Sequence, residues 1–291
     1  MAVQSAYRDA ERTNNSYRAV KQYKDLNLNF TRHPITKDIS PITDAAAVKR
    51  SVRNLIQYNY FDYDKETIKS IKKHINGLNK ISNERIFDEL KKILKLKNFT
   101  NLFSHNISKE IILNIFPQFK YFERIEKFKD LSKELKNKYD VDLILSLLIC
   151  DNSNNYEYFC HKFKTSNSFK DRLHNVFINF DDLKNKNFFL EKNIKKKIYL
   201  SNKSKVIDLL LFSKCTNSKL KDFEIEKLIN YVTNYKIPKF PISGEFLKKH
   251  GYKTGKELGR KLKTLEEQWI KNNFVMEKKE VQKYLEKFTK N

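Results

Sequence analysis

The sequence predicts a mainly α protein: a multi-helix array preceded by a short leader with at most one strand and one helix. Three observations carry this. Apolar residues recur with a 3.6-residue period almost everywhere after Phe61. Strand-like alternation is nearly absent over the same stretch. Breakers are few and placed, with five glycines and five prolines in 291 residues.

The leader is the least regular part. Residues 1–25 are polar. "LNLNFTRHP" alternates apolar and polar side chains, the pattern of a short strand, and Pro34 and Pro41 break the turn-rich "PITKDISPI". Asp44 is placed to cap a helix over "DAAAVKRSVRNLI", with Val48, Val52 and Leu55 on one face. One strand and one helix bury too little surface to fold alone.

The body reads as helix after helix. "SNERIFDELKKILKLKNF" is the clearest: Ser82 is a good N-cap and Glu84 lies in the first turn, where the helix dipole favours an acid. Ile86, Leu90, Ile93 and Leu94 make its apolar stripe, with Asp88, Lys91 and Lys92 turned to solvent. Further helices are predicted at 64–75, 108–115, 119–138, 141–150, 155–163, 168–178, 203–214 and 217–234, with Pro117 and clusters such as "DNSNN" as separators. Aromatics interleave with lysines in "FPQFKYFERIEKFKD" and "KNKNFFLEKNIKKKIYL". They could stack on bases, although rings at helical spacing usually belong to a core, and "NIKKKIYL" reads as a solvated face.

Composition changes near residue 60. Alanine occurs seven times in residues 1–60 and never afterwards. Arginine leads lysine six to four in the first segment, and lysine leads 45 to 4 in the rest. The expected organisation is a leader at 1–59, helical regions at 60–150 and 151–236, and a terminal helical region at 237–291.

The formal net charge is +24. A polyanionic partner such as nucleic acid accounts for it, and so does an A/T-rich coding bias. Three cysteines without C-x-x-C spacing and six scattered histidines form no metal pattern, which suits a reducing, cytoplasmic setting. The longest apolar run, "VDLILSLLIC", is too short to span a membrane.

Placement of the charge is sharpest in "FPISGEFLKKHGYKTGKELGRKL" (240–262), which holds four of the five glycines and six basic residues. Ser243 is expected to cap a short helix that stops at Gly251 in a left-handed turn. Thr254 and Glu257 have capping-box spacing for the next helix, with Leu258, Leu262, Leu265 and Trp269 as its buried stripe. Gly255 and Gly259 stand four apart on the first turns, where each glycine costs roughly 1 kcal/mol against alanine. Something should therefore approach that backbone closely: a tightly packed helix or a phosphate chain. A helix N-terminus offers N–H donors to an anion, and Lys248, Lys249, Lys253, Lys256, Arg260 and Lys261 would surround it.

These residues carry a resemblance. "ISGEFLKKHGYKTGKELGRKLKTLEEQWI" resembles the tail of bacterial CCA-adding tRNA nucleotidyltransferases and their poly(A) polymerase relatives. That family's glycine–leucine pattern falls on Gly244, Leu247, Gly251, Gly255, Leu258, Gly259 and Leu262, and Lys256 stands where the family has a proline. "ISNERIFDELKKIL" is similar to the family's neck-to-body segment, on Ser82, Glu84, Arg85, Ile86, Glu89, Lys92, Ile93 and Leu94. The resemblance covers residues 60–275. It implies a helical neck, body and tail that hold tRNA or tRNA-like RNA by shape and backbone contacts.

The family's chemistry uses Mg2+ with ATP and CTP, bound by carboxylates on a β-sheet head after a Gly-Gly turn. This chain has no Gly-Gly, and the D-x-D at Asp140–Asp142 reads as a helix start. No residue here is expected to be catalytic or to bind a cofactor or metal. Arg50 and Arg53 fall at offsets of the family's nucleotide-selecting motif, but Ala47 and Asn54 depart from it, so base templating is not expected. Residues 17–56, through "DLNLNFTRHP", "TKDIS" and "AVKRSVRNLI", resemble instead the N-terminal part of the phage baseplate wedge family, a lysozyme-like fold. The expectations are thus an RNA-binding, catalytically incomplete portion of a CCA-adding enzyme, a phage structural protein with a helical passenger, or an enzyme completed by a separate head chain.

Overall fold

The protein is described from a computed structural model, which covers residues 82–104, 106–216 and 219–276. The leader strand and helix, the helix at 64–75 and the phage-like stretch lie outside these residues. Among the described residues there is no strand, in agreement with the mainly α expectation. The chain divides into two compact units, ending and beginning at Phe180 and Asp181. The sequence boundaries at 150/151 and 236/237 fall inside the first and second unit respectively.

The first unit contains α1 (Asn83–Leu94), α2 (Asn106–Ile115), α3 (Phe122–Lys129), α4 (Lys133–Lys136), α5 (Val141–Ile149), α6 (Asn155–Phe163) and α7 (Asn167–Asn179), with a 3-10 turn at Phe99–Phe103. Its centre is α5. Every residue from Leu143 to Ile149 is buried, because this helix is apolar all round. Asp140 caps α5, accepting from the Leu143 N–H at 2.9 Å. Helices α1, α3, α6 and α7 pack on α5.

An aromatic cluster fills the space between them. Phe87 meets Phe159 edge-on at 5.6 Å, and Phe116 and Phe119 stack at 5.1 Å. The rings of "FPQFKYFERIEKFKD" are therefore mostly core: Phe116, Phe119 and Phe128 are buried. Phe87 belongs to the α1 face as well, while Ile86 is only half-buried.

The end of α5 is held by a buried arginine. Arg124 donates to the Leu147 and Cys150 carbonyls at 3.1 and 2.6 Å, satisfying groups that a helix C-terminus leaves open. Its guanidinium lies 3.7 Å from the centre of the Tyr121 ring, whose hydroxyl donates to Asp151 at 2.8 Å. The single helix expected over 119–138 is two, because Ser132 accepts from the Leu135 N–H and starts α4 after the break at Asp130.

The second unit contains 3-10 turns at Asp182–Lys184 and Lys186–Phe189, then α8 (Glu191–Leu200), α9 (Lys203–Thr216), α10 (Asp222–Asn234), α11 (Gly244–Lys249) and α12 (Lys256–Lys271). Here α9 is central, with Leu209–Ser213 buried. Helix α10 begins at Asp222, not 217, because Glu224 accepts from the Lys221 N–H at 2.7 Å and fixes the start there. The stretch read as a solvated lysine face, "NIKKKIYL", belongs to α8, which buries Ile194 and Ile198 against α9 and α10.

Candidate nucleic-acid interface

The terminal helix pair holds its shape with a small core of its own. Ile242, Leu247, Leu258 and Leu265 are buried together, with Phe240, Tyr252 and Leu262 packed against them. Ser243 caps α11 as expected, accepting from the Phe246 N–H at 3.2 Å. The helix ends where Gly251 takes φ +89°, and the Tyr252 and Gly251 N–H groups return to the Leu247 and Lys248 carbonyls. This is a Schellman ending, sealed by Tyr252 packing on the Leu247 cluster.

The start of α12 departs from expectation. The N-cap is Gly255, with φ 145° and ψ −167°, a backbone region essentially reserved for glycine. Thr254 and Glu257 form no capping box: with Gly255 as cap, the third helical residue is Leu258, so Glu257 is out of register. No side chain caps the first N–H groups of α12. Gly255 itself is exposed, and an added Cβ there would meet nothing within 4 Å.

Gly259 is equally open; it is exposed, and a Cβ there also meets nothing within 4 Å. A tightly packed helix of the described residues, one of the two reasons for these glycines, is therefore excluded. Gly244 differs, because its Cβ would touch Leu258 and Leu262 at 3.4 and 3.7 Å.

The far end of α12 is anchored on α8. Lys196 donates to the Lys271 carbonyl at 3.1 Å, and the Tyr199 hydroxyl donates to Glu266. Tyr199 meets the Trp269 and Phe274 rings, each at 5.4 Å. Phe274 and Asn273 close α12 in a second Schellman ending, with Phe274 edge-on to Trp269 at 4.9 Å. Sequence reading missed this support because α8 was not recognised as a helix.

The basic residues read from the sequence fall on this scaffold. Lys248, Lys249, Lys253, Lys256 and Arg260 are exposed, and none has a carboxylate partner among the described residues. Lys261 is half-buried; burial lowers its ammonium pKa, and Glu257 opposes that shift. Elsewhere some lysines are paired, as Lys91 is with Asp88 and Lys214 with Asp222. The terminal helix pair thus presents uncompensated positive charge beside exposed backbone.

The α1 residues behave otherwise. Ser82 occupies the N-cap position of α1 without a side-chain cap bond. Glu84 pairs with Lys164, the residue that ends α6, at 2.9 Å, and Lys164 holds the carboxyl below its usual range. Glu89 is buried and bound by Lys92 at 2.7 Å, and Arg85 is exposed. Glu84 therefore ties α1 to the end of α6, while the Glu89–Lys92 pair lies within α1.

The Asp140–Asp142 pair does not fit a divalent metal site. Asp140 caps α5 with one oxygen and meets Arg172 at 2.5 Å with the other; Asp142 lies 3.9 Å from the same guanidinium. Among the described residues no group of three or more His, Cys, Asp or Glu could hold a metal ion. The three cysteines are buried free thiols. No helix of the described residues is long and apolar enough to cross a membrane.

Among the described residues, helices without strands and five exposed cations without a carboxylate partner define the class: a helical protein with a candidate polyanion-binding face. Residues 49–123 match the family model described as "Probable RNA and SrmB- binding site of polymerase A". That match begins inside "AVKRSVRNLI", ahead of the compositional step, and ends well before the terminal pair.

The chain is similar to human CCA tRNA nucleotidyltransferase 1, mitochondrial, 30% identical over 240 residues, which is 78% of this chain and 51% of that protein. The mouse protein of the same name is 29% identical over 238 residues, again 78% of this chain and 51% of that one. The fold is that of solved CCA-adding enzymes. The Thermotoga maritima enzyme complexed with tRNA has a TM-score of 0.53 at 18% identity, over 84% of this chain and 62% of that one. A CCA-adding enzyme with ATP has a TM-score of 0.54 at 17% identity, over 85% and 60%. These likenesses support the CCA-adding and poly(A) polymerase family, and the chain spans about half the length of the curated relatives it matches.

Proposed function

We propose that this chain is the RNA-binding helical portion of a CCA-adding tRNA nucleotidyltransferase, and that α11 and α12 grip tRNA or tRNA-like RNA by its phosphate backbone. The observation that carries this is the coincidence of five exposed cations, without a carboxylate partner among the described residues, with two open glycines at an uncapped helix start. Backbone N–H groups and the helix dipole favour phosphate there, and the missing Cβ atoms let the chain approach. Lys248, Lys249, Lys253, Lys256, Arg260 and Lys261 supply the neutralising charge.

Nucleotidyl transfer is assigned to no residue of this chain. The Mg2+, ATP and CTP of the family reaction belong in this reading to a head module, and a separate head chain is a possible partner. A cytoplasmic setting stays part of the proposal, although the human and mouse relatives are named mitochondrial.

The test is binding of a tRNA transcript across a salt series. Each phosphate contact contributes a slope of about −0.7 to −0.9 in log K against log salt. Lys256→Ala and Arg260→Ala should each flatten the slope by roughly one contact's worth. Binding that is absent, or indifferent to salt, ends the reading; incorporation of ATP or CTP by the chain alone ends the assignment of chemistry elsewhere.

A further inference from the structure

We propose that Phe246 and His250 on α11 form a stacking site for an unpaired nucleobase of the bound RNA, an inference that rests on the RNA-binding reading above. The other large rings of this region are drawn inward. Trp269 is buried, and Phe240 and Tyr252 pack on the Leu247 cluster. Phe246 is not. Its neighbour Leu247 is fully buried, so a one-residue step round the helix turns Phe246 outward, and it is 36% exposed.

His250 stands one turn further along the same face, with ring centroids 4.4 Å apart and planes tilted by 40°. Its Nδ1 pairs with the Phe246 carbonyl at 2.8 Å, which fixes the imidazole beside the phenyl ring. Two rings are thus held at the surface outside the buried cluster. Lys249 shares their face, and Lys248 and Lys253 flank them in the chain, all three exposed. An apolar partner would match the rings and strand the ammonium groups. A nucleotide matches both: its base lies on the ring and its phosphate meets the lysines.

The experiment compares the full chain and its variants on three probes: a tRNA transcript, a short oligoadenylate carrying one 2-aminopurine, and a blunt duplex without unpaired bases. Phe246→Ala should weaken oligoadenylate binding about tenfold and remove the 2-aminopurine quenching. It should leave duplex binding and the salt slope unchanged, because no phosphate contact is lost. Phe246→Tyr should retain the quenching. Phe246→Leu, which keeps apolar bulk, should behave like the alanine variant and guards against misfolding as the cause. If the parent binds RNA with a normal salt slope, and both variants quench 2-aminopurine as it does, the stacking site is refuted and the phosphate grip stands. If the parent binds none of the probes, both readings fall.

Discussion

Gly259→Ala should make the protein more stable and a poorer RNA binder. Gly259 lies inside α12 with no positive φ, and a methyl group at its Cβ would meet nothing within 4 Å. Alanine in such a helix position is worth about 0.5–1 kcal/mol over glycine. With an m-value of about 2 kcal/mol/M, the urea midpoint should rise by roughly 0.3–0.5 M. The RNA backbone, held at the distance an open glycine permits, would be pushed off by the same methyl group. A tenfold loss of tRNA affinity, equivalent to about 1.4 kcal/mol, is the expected scale.

Gly251→Ala and Gly255→Ala serve as contrasts. Their φ values of 89° and 145° lie where a Cβ is strained, so both should destabilise by about 1–2 kcal/mol. The assays are urea unfolding followed by circular dichroism, and filter binding of a tRNA transcript at fixed salt. A destabilised Gly259→Ala would mean the face is not open. A stabilised variant with unchanged RNA affinity would mean that nothing in the RNA meets it.

The remaining predictions concern the fold. Arg124→Ala should cost about 3 kcal/mol in urea unfolding, since it removes two charge-assisted bonds to the end of α5 and the relief of a desolvated guanidinium offsets only part. Arg124→Lys should recover a fraction, lacking the planar stack on Tyr121. At alkaline pH the tyrosines take over. Burial, then the hydrogen bond to Glu266, pushes Tyr199 up to about 12, and burial with Asp151 does the same for Tyr121. Their neutral forms stabilise the fold fully below about pH 10, the ordinary phenol value, and that contribution is lost as pH rises towards 12. Tyr199→Phe should flatten this alkaline limb in a pH series of urea midpoints.

Much of the fold is legible in the residues, for identifiable reasons. Helix α6 occupies the expected 155–163 because Tyr156, Phe159, Cys160 and Phe163 keep the apolar period, and α5 starts at the Asp140 cap. Helix α8 was missed because its buried anchors reduce to Ile194 and Ile198 and a run of three lysines between them hides the period. The break at Ser132 was missed because a capping serine inside an amphipathic stretch looks like an ordinary polar position. Gly255 could be placed but not its φ, since glycine is silent about which side of the map it uses, and that φ displaced the Thr254–Glu257 box. The cations of the site were legible one by one. The Phe246–His250 pair was not: two rings four apart read as a core stripe, and only the inward turn of Leu247 puts them outside.

Charge alone would make this an indifferent polyanion binder. With a net +24, the chain should hold heparin as readily as RNA, and lysine substitutions in α11 and α12 should weaken both in proportion. Discrimination needs features that a flexible sulfated chain cannot exploit. Among the described residues of the terminal pair, two qualify: the open backbone at Gly255 and Gly259, which rewards a rigid phosphate track, and the Phe246–His250 rings, which reward a base. Gly259→Ala and Phe246→Leu should therefore lower RNA affinity while leaving heparin affinity unchanged, so that heparin displaces RNA from these variants at about a tenth of the concentration the parent requires. Parallel losses on both ligands would reduce the interface to its charge.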